Sequence, residues 1–416
     1  MGLSSGTFTR ANDFTTNEGL GIDPTATQFD NEFDPIASAL SVAGYRDGQA
    51  PWLADQSWGG FKITSLGDAT AGTEALNRQT ADARYLLKAQ LAAGMPVNAS
   101  ITCSVGSNEL TVALKDASGA DPTASSPVLL PFRSATAGTG TITTRSVTAA
   151  TSIVMNSTAT IGTSNATAFS LWVVAFDDAG TIRLGVINCL SALDIYPLQQ
   201  QGIASSTAED NAADSAHVFY TGTAVSSKPY LVLGRLIWNS GLVTAGTWNA
   251  VADVVVNMAP GVKLPGHIVQ SVISRDSAVA TGTTTIPADD TIPQNTEGDQ
   301  YMSKAVTPTV AANVLRVFHH GQYAHSSTIA GVTAVLHQDS TANGLIVALG
   351  AKADLANQPS QVNLEHRMLA ATTSSTTFKV RAGTSAAGTV TFNGASSARL
   401  FGGVYTSTLL IEEIVA

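Results

Sequence analysis

The chain has 416 residues, which suits two or three domains rather than one. Charged residues are only 12% of it and the formal net charge is −10, so it lacks the basic stripe that nucleic acid requires. Apolar residues make up 44%, and Ala, Ser, Thr and Gly stand where charge usually does, a composition that favours close-packed strands over solvated helices and burial of surface against further copies of the chain.

Met1 is followed by Gly2-Leu3-Ser4-Ser5, with no basic n-region and no apolar h-region, so no secretory signal is expected. No apolar run is long enough to cross a bilayer, and no membrane insertion is expected. These readings predict a product made in a cytoplasm and assembled or used elsewhere. Cys103 and Cys189 form no C-x-x-C pair and read as two small buried apolar residues.

Residues 1–55 are acidic: Asp13, Glu18, Asp23, Asp30, Glu32, Asp34, Asp47 and Asp55 stand against Arg10 and Arg46. Phe29, Phe33, Ile36 and Leu40 share one face of a helix. Pro35 predicts a break there, or a second helix with Pro35 in its first turn. A segment this short cannot hold its own core, and its apolar stripe predicts docking against a partner.

Residues 56–95 predict a short strand followed by a helix. Phe61 and Ile63 alternate with Lys62 and Thr64, then Thr73 caps a helix with Leu76, Ala83, Leu87 and Leu91 on one face, ended by Gly94 and Pro96. From 96 to 265 the pattern is strand after strand. Glu109–Leu114 alternates, Pro127–Phe132 reads as a buried run, and Leu171–Phe176 and Thr181–Ile187 flank Asp177-Asp178-Ala179-Gly180, a hairpin signal. Tyr230–Trp238 reads as a core strand, and Pro260-Gly261 and Pro265-Gly266 mark a boundary. Over 266–416 strands are expected at Ile268–Ile273, Thr281–Ile286, Val314–Phe318, Gly331–His337, Gly344–Leu349, Phe378–Arg381 and Leu409–Ile414. The fold expected is mainly β: two β-sandwich, jelly-roll-like domains, at 96–265 and 266–416, after an N-terminal docking segment (1–55) and a strand–helix stalk (56–95).

Two stretches carry a resemblance. Ser57-Trp58-Gly59-Gly60-Phe61-Lys62-Ile63-Thr64-Ser65-Leu66-Gly67-Asp68, with Glu74-Ala75-Leu76-Asn77-Arg78 after it, resembles the "W-x-G-x-K-I-x-N-L-x-D-P … D-A-V-N-K-x-Y-V-D" element of bacteriophage tail-fibre and tail-spike proteins. It departs at Ser65, Ala69 and Thr80, where Asn, Pro and an aromatic are usual. The segments 281–302, 378–383 (Phe-Lys-Val-Arg-Ala-Gly) and 399–404 (Arg-Leu-Phe-Gly-Gly-Val) resemble a C-terminal module of phage fibre-like proteins. The resemblance implies a virion structural protein that trimerises, docks on tail, collar or capsid proteins by its N-terminus, and contributes to recognition of a host-surface glycan or protein. It also implies alternatives: a capsid-anchored head fibre or decoration protein, a collar or neck adaptor carrying another fibre, or a glycan-degrading spike.

Chemistry-bearing residues offer little to an enzyme. Asp177 and Asp178 are adjacent in a turn, whereas glycoside hydrolysis needs two carboxyls facing one bond about 5–9 Å apart. No G-x-S-x-G elbow is present, so no enzyme and no cofactor is expected. Asp289, Asp290, Glu297 and Asp299 form the densest acidic loop, with ligand chemistry suited to Ca²⁺ but not EF-hand spacing. On a strand His319 and His325 would share one face and His320 the other. For stacking on sugar rings the aromatic candidates are Trp248, Tyr323 and Tyr405, whereas Trp172 and Trp238 lie inside apolar strands and read as core.

Overall fold

The computed structural model describes residues 2–4, 7–9, 20–21, 23, 25–41, 94–133, 141–327 and 331–416, and the chain divides into two compact units, 1–81 and 82–416. In the first unit Gly2–Ser4 pairs antiparallel with Thr7–Thr9, and a helix spans Ala26–Ser41. Its start is a reciprocal cap. The Thr25 amide donates to Gln28 Oε1 at 2.8 Å and the Gln28 amide donates to Thr25 Oγ1 at 3.3 Å. The break expected at Pro35 does not occur, because the helix runs through it. One missing amide donor in a sixteen-residue helix removes one bond of the ladder and leaves the others in place. The stalk expected over 56–95 lies outside the described residues except for Gly94 and Met95.

The described part of the second unit is strand and loop, with one 3-10 turn at Phe401–Gly403. Ser100–Gly106 and Glu109–Lys115 form a hairpin turning on Ser107 and Asn108, both at positive φ (54° and 63°), the conformation whose twist suits a two-residue turn. Glu109–Lys115 alternates as expected, with Leu110, Val112 and Leu114 buried. Phe169–Asp178 and Thr181–Ile187 form the expected second hairpin. Its turn residues Ala179 and Gly180 have φ of 53° and 102°, and Asp177 Oδ1 accepts the Gly180 amide at 2.7 Å.

Lys228–Trp238 pairs along the other side of Phe169–Asp178, with a bulge between Val232 and Gly234. A Cβ at position 234 would lie 2.3 Å from the Val256 carbonyl oxygen, so the close approach of Val254–Asn257 requires glycine there. This sheet is covered on both faces. Leu171, Val173 and Ala175 pack with Phe169, Trp238 and Trp248, while Trp172, Val174 and Phe176 pack with Ile187, Phe219 and Tyr230. Two-sided burial explains why Leu171–Phe176 reads as an unbroken apolar run rather than an alternation.

Strands from 268 to 414 pair only with one another. One sheet holds Ile268–Asp276, Ser407–Ile414, Val314–His325, Pro359–Leu369, Val390–Phe392 and Ala280–Gly282. The other holds Asp299–Val306, Thr376–Gly383, Thr333–Gln338 and Ile346–Leu349. The two face each other across Leu315, Val317, Leu336, Phe378, Val380, Phe392, Leu409 and Ile411, a sandwich-like core. The strand expected at Thr281–Ile286 is shorter than its pattern. Ala280–Gly282 is paired, and beyond it the chain is held by isolated bonds such as Ile286 amide to Thr384 carbonyl (3.0 Å), with Ile286 itself buried.

The Pro-Gly boundary near 260–266 is a packed junction. Leu264 and Val415 share a core cluster with Trp172, and Trp172 Nε1 donates to the Ala416 carbonyl oxygen at 3.1 Å. Buried Arg235 lies 5.3 Å over the Trp172 ring and donates from Nη2 to Asn313 Oδ1 at 3.0 Å. Asn313 Nδ2 donates in turn to Glu413 Oε1 at 2.7 Å. Glu413 also accepts from Gln270 Nε2 (2.6 Å), the Thr309 amide (2.9 Å) and Thr309 Oγ1 (2.7 Å). Burial pushes the Glu413 carboxyl up, but the hydrogen bonds from Gln270, Asn313 and Thr309 outweigh it and leave the group below its ordinary value. Burial pulls the Arg235 guanidinium down to about 10. Cys189 is buried and Cys103 half-buried, and desolvation pushes both thiols up, as for small packing residues.

Candidate functional site

The direction of Ser407–Ile414 identifies the end of the C-terminal sheets that is free of this junction. Ile414 lies opposite Ile268 and Val314, next to buried Val415 and Ala416, whereas Ser407 lies at the far end opposite Asp276. The loop 400–406, which feeds Ser407, therefore projects from the end away from the junction. It carries Phe401, 72% exposed, and Val404, 81% exposed, with half-buried Tyr405 at a ring separation of 5.7 Å from Phe401.

Phe401 has φ 49°, followed by Gly402 at 65° and Gly403 at 95°. The glycines adopt that region freely, but for a bulky side chain it costs about 1–3 kcal/mol. Burial does not repay the cost, because the ring is in solvent. Phe401 thus combines a left-handed backbone with a ring left in solvent.

Beside this loop, on the outward face of the sheet, lies a polar platform. Gln322 Nε2 donates to His320 Nε2 at 2.8 Å and His320 Nδ1 donates to Asn363 Oδ1 at 3.1 Å, while the Gln361 carboxamide abuts the same ring. Cross-strand pairing sets this ladder, with His320 opposite Asn363 and Thr408, and Gln322 opposite Gln361. The Gln322 amide donates to Ser407 Oγ at 2.9 Å, which fixes the platform to the strand that leaves the aromatic loop. Exposed ring faces beside planar amide and imidazole groups suit a polyhydroxylated ring, with C–H faces for the aromatics and hydroxyls for the amides.

The sequence-derived residues divide sharply. Tyr405 is at this end. Trp248 and Tyr323 are fully buried, which corrects their expectation as sugar platforms. The Trp248 ring sits 6.0 Å from both Phe169 and Trp238, with Nε1 donating to Ala159 carbonyl at 3.0 Å, and Tyr323 packs against Tyr301 and Phe392. Both rings are covered by residues distant in sequence, so their polar neighbours in the chain say nothing of their surroundings. His319 and His325 are buried and His320 is not, as strand parity requires.

Asp289, Asp290, Glu297 and Asp299 do not form one ligand set. Asp289 accepts from the Thr291 amide and hydroxyl, Glu297 from the Gln294 amide, and Asp299 from the Thr284 amide and hydroxyl. Among the described residues no group of three or more His, Cys, Asp or Glu is placed to hold a metal ion. Asp177 pairs with Arg145 at 2.9 Å, and Asp178 with Arg183 at 2.8 Å and Lys228 at 3.2 Å. Phe29 and Phe33 stack at 6.1 Å and are 42% and 58% exposed on the first-unit helix. The side chains of Ile36 and Leu40 lie outside the described residues. No helix among the described residues is long and apolar enough to cross a membrane. Phe401 and Val404 were not singled out from the sequence. The available signal was an aromatic set against Gly402-Gly403 between strands, where no sheet partner can cover it.

No family model matches the sequence, and no curated protein matches it. Among solved structures, the Eiger tumour-necrosis-factor protein of S. frugiperda is similar at 12% identity and a TM-score of 0.21, over 35% of this chain and 94% of that one. The VP2 subviral particle of infectious bursal disease virus is similar at 8% identity and a TM-score of 0.21, over 80% and 82% of the two chains. A Bacillus thuringiensis Cry1Da tryptic core variant is similar at 10% identity and a TM-score of 0.16, over 79% and 54%. Scores this low carry no assignment.

Proposed function

We propose that this chain is a homotrimeric bacteriophage fibre or spike protein. In this reading it docks on the virion through the first unit, is non-catalytic, and binds a host-surface glycan at the end of its C-terminal sheets. The observation that carries the reading is Phe401, at positive φ and exposed beside Tyr405, on a loop at the end away from the junction, with the His320–Gln322–Gln361–Asn363 platform tied to the strand that follows that loop. A rigid two-part β body supports it, since three shallow sites on one stiff particle gain effective concentration with no added contact. The exposed Phe29–Phe33 pair suits the docking role expected of the first unit. Carbohydrate-array binding by the full chain, compared with Phe401→Ala and Tyr405→Ala, tests the recognition claim. Binding that both variants retain at full strength overturns it. Light scattering at micromolar concentration tests the assembly claim, and a monomer overturns that part alone.

A further inference from the structure

The strand Ile346–Leu349 ends its sheet, with Thr333–Gln338 as its one partner. The Gly350 amide donates to the Val332 carbonyl, in the register that sets Ala348 against Ala334 and Ile346 against Leu336. Antiparallel alternation then turns the N–H and C=O groups of Val347 and Leu349 away from that partner. Both side chains are exposed as well, 49% and 66%. Alongside runs the segment 289–295. Gln294 is bridged to Asn343, and the Pro293 carbonyl accepts the Gly344 amide at 2.9 Å. Upstream of Pro293 the pairing stops, because no backbone hydrogen bond joins 289–292 to 345–349. A cleft of about 380 Å³ opens between them, walled by Ile292 and Val347, floored by Val335 and Leu345, and lipped by Asp289 and Asp290.

We infer that this cleft binds an extended segment of a partner protein, alternating apolar and lysine or arginine side chains, which adds to the sheet edge at Val347–Leu349. Three features select that occupant. The open backbone groups match a strand in direction and spacing. Ile292 at 55% exposure and Leu349 give apolar seats for alternate side chains. The paired carboxylates at the lip give a cationic side chain its counter-charge; the Thr291 hydroxyl and amide that hydrogen-bond Asp289 keep that carboxylate ionised. A sugar would leave the backbone edge unused. The site is separate from the aromatic loop and stands whether or not that loop binds glycan.

The test uses the full chain and two acetylated, amidated hexapeptides, one alternating Lys with Val and one alternating Glu with Val, read by calorimetry. The lysine peptide should bind saturably, and the glutamate peptide should not. Val347→Pro removes an outward N–H at an edge position, where proline is tolerated, and should weaken the lysine peptide about tenfold. Asp290→Asn should weaken it severalfold and flatten its dependence on salt. If Val347→Pro fails to fold, Val347→Lys keeps the backbone and should reject the peptide through like charge. No saturable binding of the lysine peptide, or equal binding by wild type and both Val347 variants, overturns the inference. So does self-association of the chain that Val347→Pro abolishes, because the occupant would then be a second copy.

Discussion

The Tyr323 hydroxyl and Nε2 of His319 meet at 3.0 Å across Gly321, three residues of one strand sharing the core face. His319 Nδ1 is engaged by the Thr408 carbonyl at 3.0 Å, so the ring bridges two strands and both of its nitrogens are satisfied. The contact depends on the missing side chain between the partners. A Cβ at 321 would lie 2.3 Å from His319 Nε2 and 2.3 Å from Tyr323 Cε2. Gly321→Ala should therefore lower stability by about 2 kcal/mol, through overpacking and loss of the buried hydrogen bond. Urea unfolding checks this, and an unchanged midpoint would mean that the pair shifts without cost.

The same pair makes stability depend on pH. Burial pulls the His319 imidazole down to about 4, the Thr408 carbonyl opposing it only in part. The folded protein thus holds a neutral ring that the unfolded chain protonates near its ordinary value of about 6.5. The sign follows: the contribution is complete above about 6.5 and is lost as pH falls toward 4, by about 3 kcal/mol in total at about 1.4 kcal/mol per unit. His337 and His366 are also lowered by burial and act in the same direction. Asp116, held at about 2 by the Ser118 and Ser126 hydroxyls, acts only below the ordinary carboxylate range. Unfolding free energies measured from pH 7 to 4 should fall, and His319→Gln should remove much of that slope. A parallel slope in the variant would assign the dependence to other groups.

What could be read from the chain depended on how local the cause was. The turn at Ala179-Gly180 and the alternation of Leu110, Val112 and Leu114 are set by neighbours within a few residues, so pattern alone found them. The parity of His319, His320 and His325 was legible for the same reason. Trp248 was not, because its ring is enclosed by Phe169 and Trp238, brought to it by the fold rather than by the sequence around it. The four carboxylates from Asp289 to Asp299 look like a ligand set in one dimension, but Asp289 and Glu297 turn back to cap their own loop and Asp299 is held by Thr284. Exposure of Phe401 arises from where Ser407–Ile414 begins, a property of the sheet rather than of the residue.

Asn313 joins the two halves of the second unit through a single carboxamide, accepting from Arg235 and donating to Glu413. Asn313→Ala would leave a buried guanidinium, whose Nε already lacks a partner, without its Nη2 acceptor and would remove one donor from a buried carboxylate. The expected loss is about 3 kcal/mol. Calorimetry should show one lowered transition if the halves stay coupled, or two if this contact is what couples them. A transition at the wild-type temperature would show that the Trp172, Leu264 and Val415 packing holds the junction without it.

Phe401 offers a separation of stability from recognition. Its left-handed backbone favours glycine, and its ring has little core to lose, so Phe401→Gly should leave the thermal midpoint unchanged or raise stability by about 0.5–1 kcal/mol. If the loop is a recognition site, the same change should abolish carbohydrate-array binding. Gly402→Ala is the complement. It keeps the aromatic ring, adds a Cβ that meets nothing within 4 Å, and strains only the backbone at φ 65°. It should cost about 1 kcal/mol while leaving binding in place. A midpoint that drops on Phe401→Gly and not on Gly402→Ala would place Phe401 among the packing residues and remove the reason for assigning recognition to this loop.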